Sequence, residues 1–145
     1  MRGAKVPDKT DTRVLDSWIL LEWLKDRPPA ALMETLWARA RAGRTRLVIN
    51  VVNLGEVFYL TAKARNLEAA ELVLAELQES PLEVKPASDS LVLEAARLKA
   101  RFPISYADAF AVAMAARERA PLVTGDPDLK ILAAQGLVEL EWVGK

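Results

Sequence analysis

Four acids carry the chemistry open to this chain: Asp16, Glu56, Asp108 and Asp126. The 145-residue sequence has no His and no Cys, which removes imidazole bases, thiolate nucleophiles and zinc sites built on nitrogen or sulfur. Hard cations remain, because Mg²⁺ and Mn²⁺ prefer oxygen ligands and keep waters that can attack phosphate. The chemistry these residues suit is therefore hydrolysis of a phosphate ester assisted by a carboxylate-bound metal.

Each acid falls where a strand ends or a helix begins. Thr12-Arg13-Val14-Leu15-Asp16 reads as a short strand with its acid at the carboxyl end, followed by an apolar helix containing Trp18, Ile19, Leu20, Leu21, Trp23 and Leu24. Pro28-Pro29 ends that helix, a second runs roughly from Ala31 to Arg41, and Gly43 stops it. Leu47-Val48-Ile49 reads as a buried strand, with Glu56 expected in the first turn of the helix after it. Leu54, Val57, Phe58 and Thr61 have helical spacing, and Ala70, Val73, Leu74 and Leu77 repeat it. A weak strand over Leu82 to Lys85 precedes a helix capped by Ser88 or Asp89 and extending to about Arg101. Asp108 opens an alanine-rich helix, and Leu122-Val123-Thr124 is a strand followed by Asp126. Asp128 to Gln135 forms a short helix, and Val138 to Val143 a last strand. Strands alternating with helices predict a three-layer α/β/α sandwich on a mainly parallel sheet of about five strands. In such sheets sites form outside the carboxyl ends of the strands, so the four acids can converge there.

The length and the 52% hydrophobic share predict one domain with a substantial core, residues 12–145, preceded by a flexible arm over 1–11. The arm has no apolar run of the kind a signal peptide needs, and charges such as Glu22 and Lys25 interrupt the hydrophobic stretches before a membrane span is reached. With no Cys, a cytoplasmic location is expected. Twenty basic and 20 acidic residues cancel, so any basic footprint for nucleic acid must be local.

Each acid also has an ordinary structural explanation. Ser105 to Asp108 and Asn53 to Glu56 have capping-box spacing, Asp126-Pro127 suits an N-cap with proline at the first helical position, and Asp16 can cap the helix opening at Ser17. Together the four are harder to explain that way. No Lys or Arg is adjacent in sequence to any of them, leaving repulsion that a cation relieves.

The segments Val14-Leu15-Asp16-Ser17, Asn53-Leu54-Gly55-Glu56-Val57-Phe58-Tyr59, Tyr106-Ala107-Asp108-Ala109 and Leu122-Val123-Thr124-Gly125-Asp126 resemble, in order and placement, those of PIN-domain proteins. Among these the chain is most similar to toxin ribonucleases of the VapC type, from about Arg13 to Trp142. The resemblance implies metal-binding, catalytic acids at Asp16, Glu56, Asp108 and Asp126, with Ser17, Thr124 and Asp128 supporting them. It also implies Mg²⁺ or Mn²⁺ as cofactor, RNA as substrate, a homodimer, and a cognate antitoxin as partner. Trp18 stands where the family often carries a small polar residue, so the shape of the pocket is expected to be particular to this chain.

Arg39, Arg41, Arg44 and Arg46 are the best local supply of positive charge for RNA phosphates, or else a solvated helix end and loop. The Met33-Leu36-Trp37 face and the Trp18 to Leu24 helix are expected to leave apolar surface for partners. A phosphatase of haloacid-dehalogenase type also uses strand-end aspartates, but it needs a second acid two residues after the first, where this chain has Trp18. Two further functions fit the same acids: a PIN-domain nuclease that processes RNA outside any toxin system, and a PIN-like scaffold that binds RNA or protein without cutting.

Overall fold

The computed structural model describes residues 11–144, so the expected arm lies outside the described residues apart from Asp11. Five strands, β1 (Thr12–Leu15), β2 (Arg46–Asn50), β3 (Leu82–Lys85), β4 (Leu122–Thr124) and β5 (Leu140–Trp142), form one sheet in the order β3-β2-β1-β4-β5. All four pairings are parallel. Around the sheet lie α1 (Ser17–Leu24), α2 (Ala30–Arg41), α3 (Val51–Ala64), α4 (Leu67–Glu79), α5 (Asp89–Arg101), α6 (Tyr106–Glu118) and α7 (Lys130–Ala134). Among the described residues no helix is long and apolar enough to cross a membrane.

The two-residue period of the strands divides the core between the faces of the sheet. Val14, Val48 and Leu122 point to one side, where they pack with Leu91 and Ala95 of α5, Phe110 to Ala115 of α6, and Leu132 of α7. Leu15, Leu47, Ile49 and Val123 point to the other, against Ile19 and Leu20 of α1, Met33, Leu36 and Trp37 of α2, Leu54 and Val57 of α3, and Leu77 of α4. The result is the three-layer sandwich. Helix α6 is buried from Ala109 through Ala115, and its small side chains let it lie close to its neighbours. A helix enclosed on all sides needs no polar stripe through its centre.

Two expectations are corrected here. Met33, Leu36 and Trp37 are 0%, 2% and 2% exposed, so the supposed partner face of α2 is core, closed by the sheet and by Trp23, whose ring meets Trp37 edge-on at 5.5 Å. The cap of α3 is Asn50, not Asn53. Asn50 Oδ1 accepts the Val52 N–H at 3.0 Å, and its Nδ2 donates to the Lys85 and Pro86 carbonyls at 3.3 and 3.2 Å. The helix therefore starts at Val51, and Glu56 lies in its second turn.

Candidate metal centre

Strand β1 pairs with β2 on one side and β4 on the other, so the chain's crossovers diverge at the carboxyl ends of β1 and β4. A crevice at such a switch point is where open parallel sheets bind ligands. Asp16 follows β1 and Asp126 follows β4, which brings both to this crevice. Asp108 joins them from the first turn of α6, where Ser105 Oγ caps the helix by accepting the Asp108 N–H at 3.0 Å.

Carboxylate oxygens of Asp108, Asp126 and Asp128 lie within 4.8 Å of one another, close enough to share one cation. Thr124 ties Asp16 to this group. Its hydroxyl donates to Asp16 Oδ2 at 2.5 Å and accepts the Asp126 N–H at 3.0 Å, linking segments 108 positions apart in sequence. Ser17 Oγ donates to Glu56 Oε1, which holds that carboxylate on the side of α3 facing α1. Asp16 and Asp126 also cap helices, accepting the Ile19 N–H at 3.2 Å and the Asp128 N–H at 3.0 Å. Each thus uses one oxygen locally and serves the crevice as well.

The electrostatics are those of crowded, partly buried carboxylates. Burial is the largest cause raising Asp16 to about 7, with the charges of Asp108 and Asp126 adding to it, against the hydrogen bonds from Thr124 and Ile19. Asp108 is likewise raised to about 7, first by burial and then by the charges of Asp126 and Glu56. Among the described residues no Lys or Arg forms an ion pair with any of these five acids. An all-oxygen donor set under mutual repulsion fits a hard divalent cation.

The model of the PIN domain family matches residues 13–135. This chain belongs to the PIN domain family. Among solved structures, the PIN fold seen here resembles that of VapBC2 from Rickettsia felis bound to a DNA fragment from its promoter, at 20% identity and a TM-score of 0.71, covering 90% of this chain and 97% of that one. VapC20 from Mycobacterium tuberculosis, a toxin that cleaves the sarcin-ricin loop, is 19% identical with a TM-score of 0.69, covering 88% of this chain and 98% of that one. DNA-bound VapBC from Salmonella typhimurium is 18% identical with a TM-score of 0.67, covering 90% and 96%. At these identities the likeness is one of fold. No curated protein matches the chain in sequence.

Within this PIN domain the four predicted arginines are not brought to the acids. Arg39 and Arg46 lie at the amino end of the sheet, where Arg39 pairs with Asp11 at 2.9 Å and Arg46 with Glu83 at 2.8 Å. Arg44 is in the loop between them, and Arg41 lines a groove with Trp23 and Trp37. Two residues at the centre, both in the motifs above, have roles there that the sequence does not show. Asn53 is buried, and its Nδ2 donates to the Ala107 carbonyl at 2.9 Å, bracing α3 against the start of α6 so that Glu56, one turn further on, sits on the Asp108 side. Its signal was a lone amide in an otherwise apolar helical turn. Gly125, between Thr124 and Asp126, is the other: a Cβ built there would lie 2.6 and 2.7 Å from Cζ2 and Cζ3 of Trp18.

Proposed function

We propose that this chain is an endoribonuclease dependent on Mg²⁺ or Mn²⁺, hydrolysing RNA phosphodiester bonds as the toxin of a type II toxin–antitoxin pair. The observation that carries this reading is the set of carboxylates at the β1–β4 switch point with no basic partner among the described residues. Asp108, Asp126 and Asp128 would hold the cation, with Asp16 and Glu56 completing its negative surroundings. A divalent ion bound there supplies Lewis-acid polarisation of a phosphodiester oxygen and a lowered pKa for an attacking water. The chain's own contribution is positioning. Thr124 keeps one Asp16 oxygen oriented by donating to it, Ser17 does the same for Glu56, and the Asp126 N–H fixes the Thr124 hydroxyl in turn. The Ser17 and Thr124 hydroxyls are committed as donors to carboxylates, and in this reading the nucleophile is water.

RNA as substrate and an antitoxin as partner are supported by the fold shared with VapC20 and the VapBC complexes. A groove of about 440 Å³ lined by Leu21, Leu24, Leu60 and Val73, with Lys25, Lys63 and Arg65 at its rim, suits an antitoxin segment bearing apolar and acidic side chains. Val51 and Tyr59, 43% and 49% exposed on α3, offer an apolar stripe for a homodimer.

The test is cleavage of a panel that includes tRNA and rRNA. Cleavage with Mn²⁺ or Mg²⁺ that stops in excess EDTA is expected. An uncut panel with Mn²⁺ present, or cleavage that persists in EDTA, overturns the proposal.

A further inference from the structure

Three consecutive residues leave β1 and each grips a different part of the centre. Asp16 is held by Thr124 at the end of β4, and Ser17 holds Glu56 on α3. Trp18 lies against Gly125, where its indole fills the space that a side chain would occupy. The contact follows from a missing Cβ, since Gly125 does not have a positive φ and gains nothing there from glycine's backbone freedom. A second close approach comes from the chain's other end, because a Cβ at Gly144 would meet the Gly125 oxygen at 2.9 Å and its Cα at 3.0 Å. Gly125 is therefore packed against Trp18 and Gly144, and its neighbours Thr124 and Asp126 are held by the Thr124–Asp16 and Asp126–Thr124 hydrogen bonds.

We propose that Trp18 is a positioning residue of the metal centre, whose indole holds the Thr124-Gly125-Asp126 turn in the conformation that presents Asp126 to Asp108 and Asp128. This rests on the metal-site reading above. Hydrogen bonds alone leave the turn a hinge at Gly125, the residue with the widest backbone freedom. A large aromatic packed on that residue removes the hinge at the cost of two side-chain torsions. The ring itself donates nothing to a cation. It acts through the carboxylate of the residue that follows the glycine it covers.

The experiment is a cycle of Mn²⁺ dissociation constants, measured by calorimetry on folded protein below the melting transition of every variant, without RNA. Trp18→Ala is expected to weaken Mn²⁺ binding about 10- to 100-fold, as loss of a group supporting a ligand does, and Trp18→Phe to restore part of it. Gly125→Ala is expected to weaken binding in the wild-type background, where the new methyl meets the indole, and to have a much smaller effect when Trp18 is already alanine. Loss of stability alone moves the melting temperature but not this coupling. Wild-type affinity in Trp18→Ala, or an equal effect of Gly125→Ala in both backgrounds, overturns the inference while leaving the metal site standing. Wild-type protein that binds no Mn²⁺ overturns the metal-site reading and the inference with it.

Discussion

The two ends of the sheet handle charge in opposite ways. At the amino end, Asp11 accepts from Thr45 at 2.7 Å, Arg13 at 2.6 Å and Arg39 at 2.9 Å, Arg13 also reaches Glu141 at 2.7 Å, and Arg46 grips Glu83 with two nitrogens at 2.8 and 3.0 Å. At the carboxyl end, Asp16, Glu56, Asp108, Asp126 and Asp128 gather with hydroxyls and N–H groups but no ion-paired cation among the described residues. Paired charges lock a structure and have nothing left to offer a ligand. Crowded like charges cost stability, and a bound cation recovers it. A protein that builds both on one sheet separates holding from acting by the length of a strand.

The largest effect that would break this comparison is at the carboxyl end. Asp108→Asn and Asp16→Asn should lower RNA cleavage by about 10²–10³-fold, the range for removing one preorganised charged or polar group from an active site. The metal-free variants should melt at the same temperature as the wild type or higher, because one repelling charge is gone, and should lose most of the stabilisation given by Mn²⁺. Variants that unfold easily yet still cleave would make these acids structural.

Next in size is Asp11→Ala, which leaves Thr45, Arg13 and Arg39 short of an acceptor and should cost about 1–3 kcal/mol in chemical denaturation. The same variant should bind Mn²⁺ with unchanged affinity. A marked change in affinity would show that the two ends are coupled.

The ends should also answer pH with opposite signs. Burial and neighbouring carboxylates raise Asp16 and Asp108 from 3.8 to about 7 in the folded protein. Between those values the folded state holds protons that the unfolded state has released, so the metal-free protein should lose stability as pH rises through this window and level off above it. Burial tends to raise Asp11, but hydrogen bonds from Thr45, Arg13 and Arg39 outweigh it and hold Asp11 below 3.8. That end contributes stability above the ordinary carboxylate range and loses it as pH falls. Melting curves from about pH 2 to 8 check both, since the Asp11 loss lies at and below the ordinary carboxylate range, and Asp16→Asn should flatten the decline towards neutral pH. An undiminished decline would remove Asp16 as its source.

The smallest effect is Arg46→Ala. Arg46 and Glu83 are exposed, so the pair should be worth about 0.2–1 kcal/mol and less in high salt. If this change or Arg39→Ala instead raises KM for RNA, substrate reaches the amino end as well.

Much of this arrangement was legible in the sequence. The order of strands and helices followed from period and breakers, and the convergence of the acids followed from their positions just after strands or at helix starts. The position of the arginines obeys the same rule, since Arg46 opens β2 and so belongs at the opposite end of a parallel sheet from Asp16. The start of α3 is hidden because Val51-Val52 looks like more strand, and it is the Asn50 cap on the Val52 N–H, with the same side chain held by the Lys85 and Pro86 carbonyls, that shows where the helix begins. Nor does spacing say which strands become neighbours. That β1 lies beside β4, and hence that Thr124 meets Asp16, is a property of the sheet order. Burial of Trp37 depends likewise on what covers α2, which its own amphipathic pattern does not specify.

The pairing of β1 with β4 also bears on how the polypeptide is made. Asp16 leaves the ribosome well before Asp108, Asp126 and Asp128, so a growing chain carries only Asp16 and Glu56 of the centre until α6 is made. Until β4 emerges, one edge of β1 stays open to any strand that meets it. A chain cut short before β4 therefore keeps an open strand edge, which favours aggregation, and lacks Thr124, Asp126 and Asp128 of the centre.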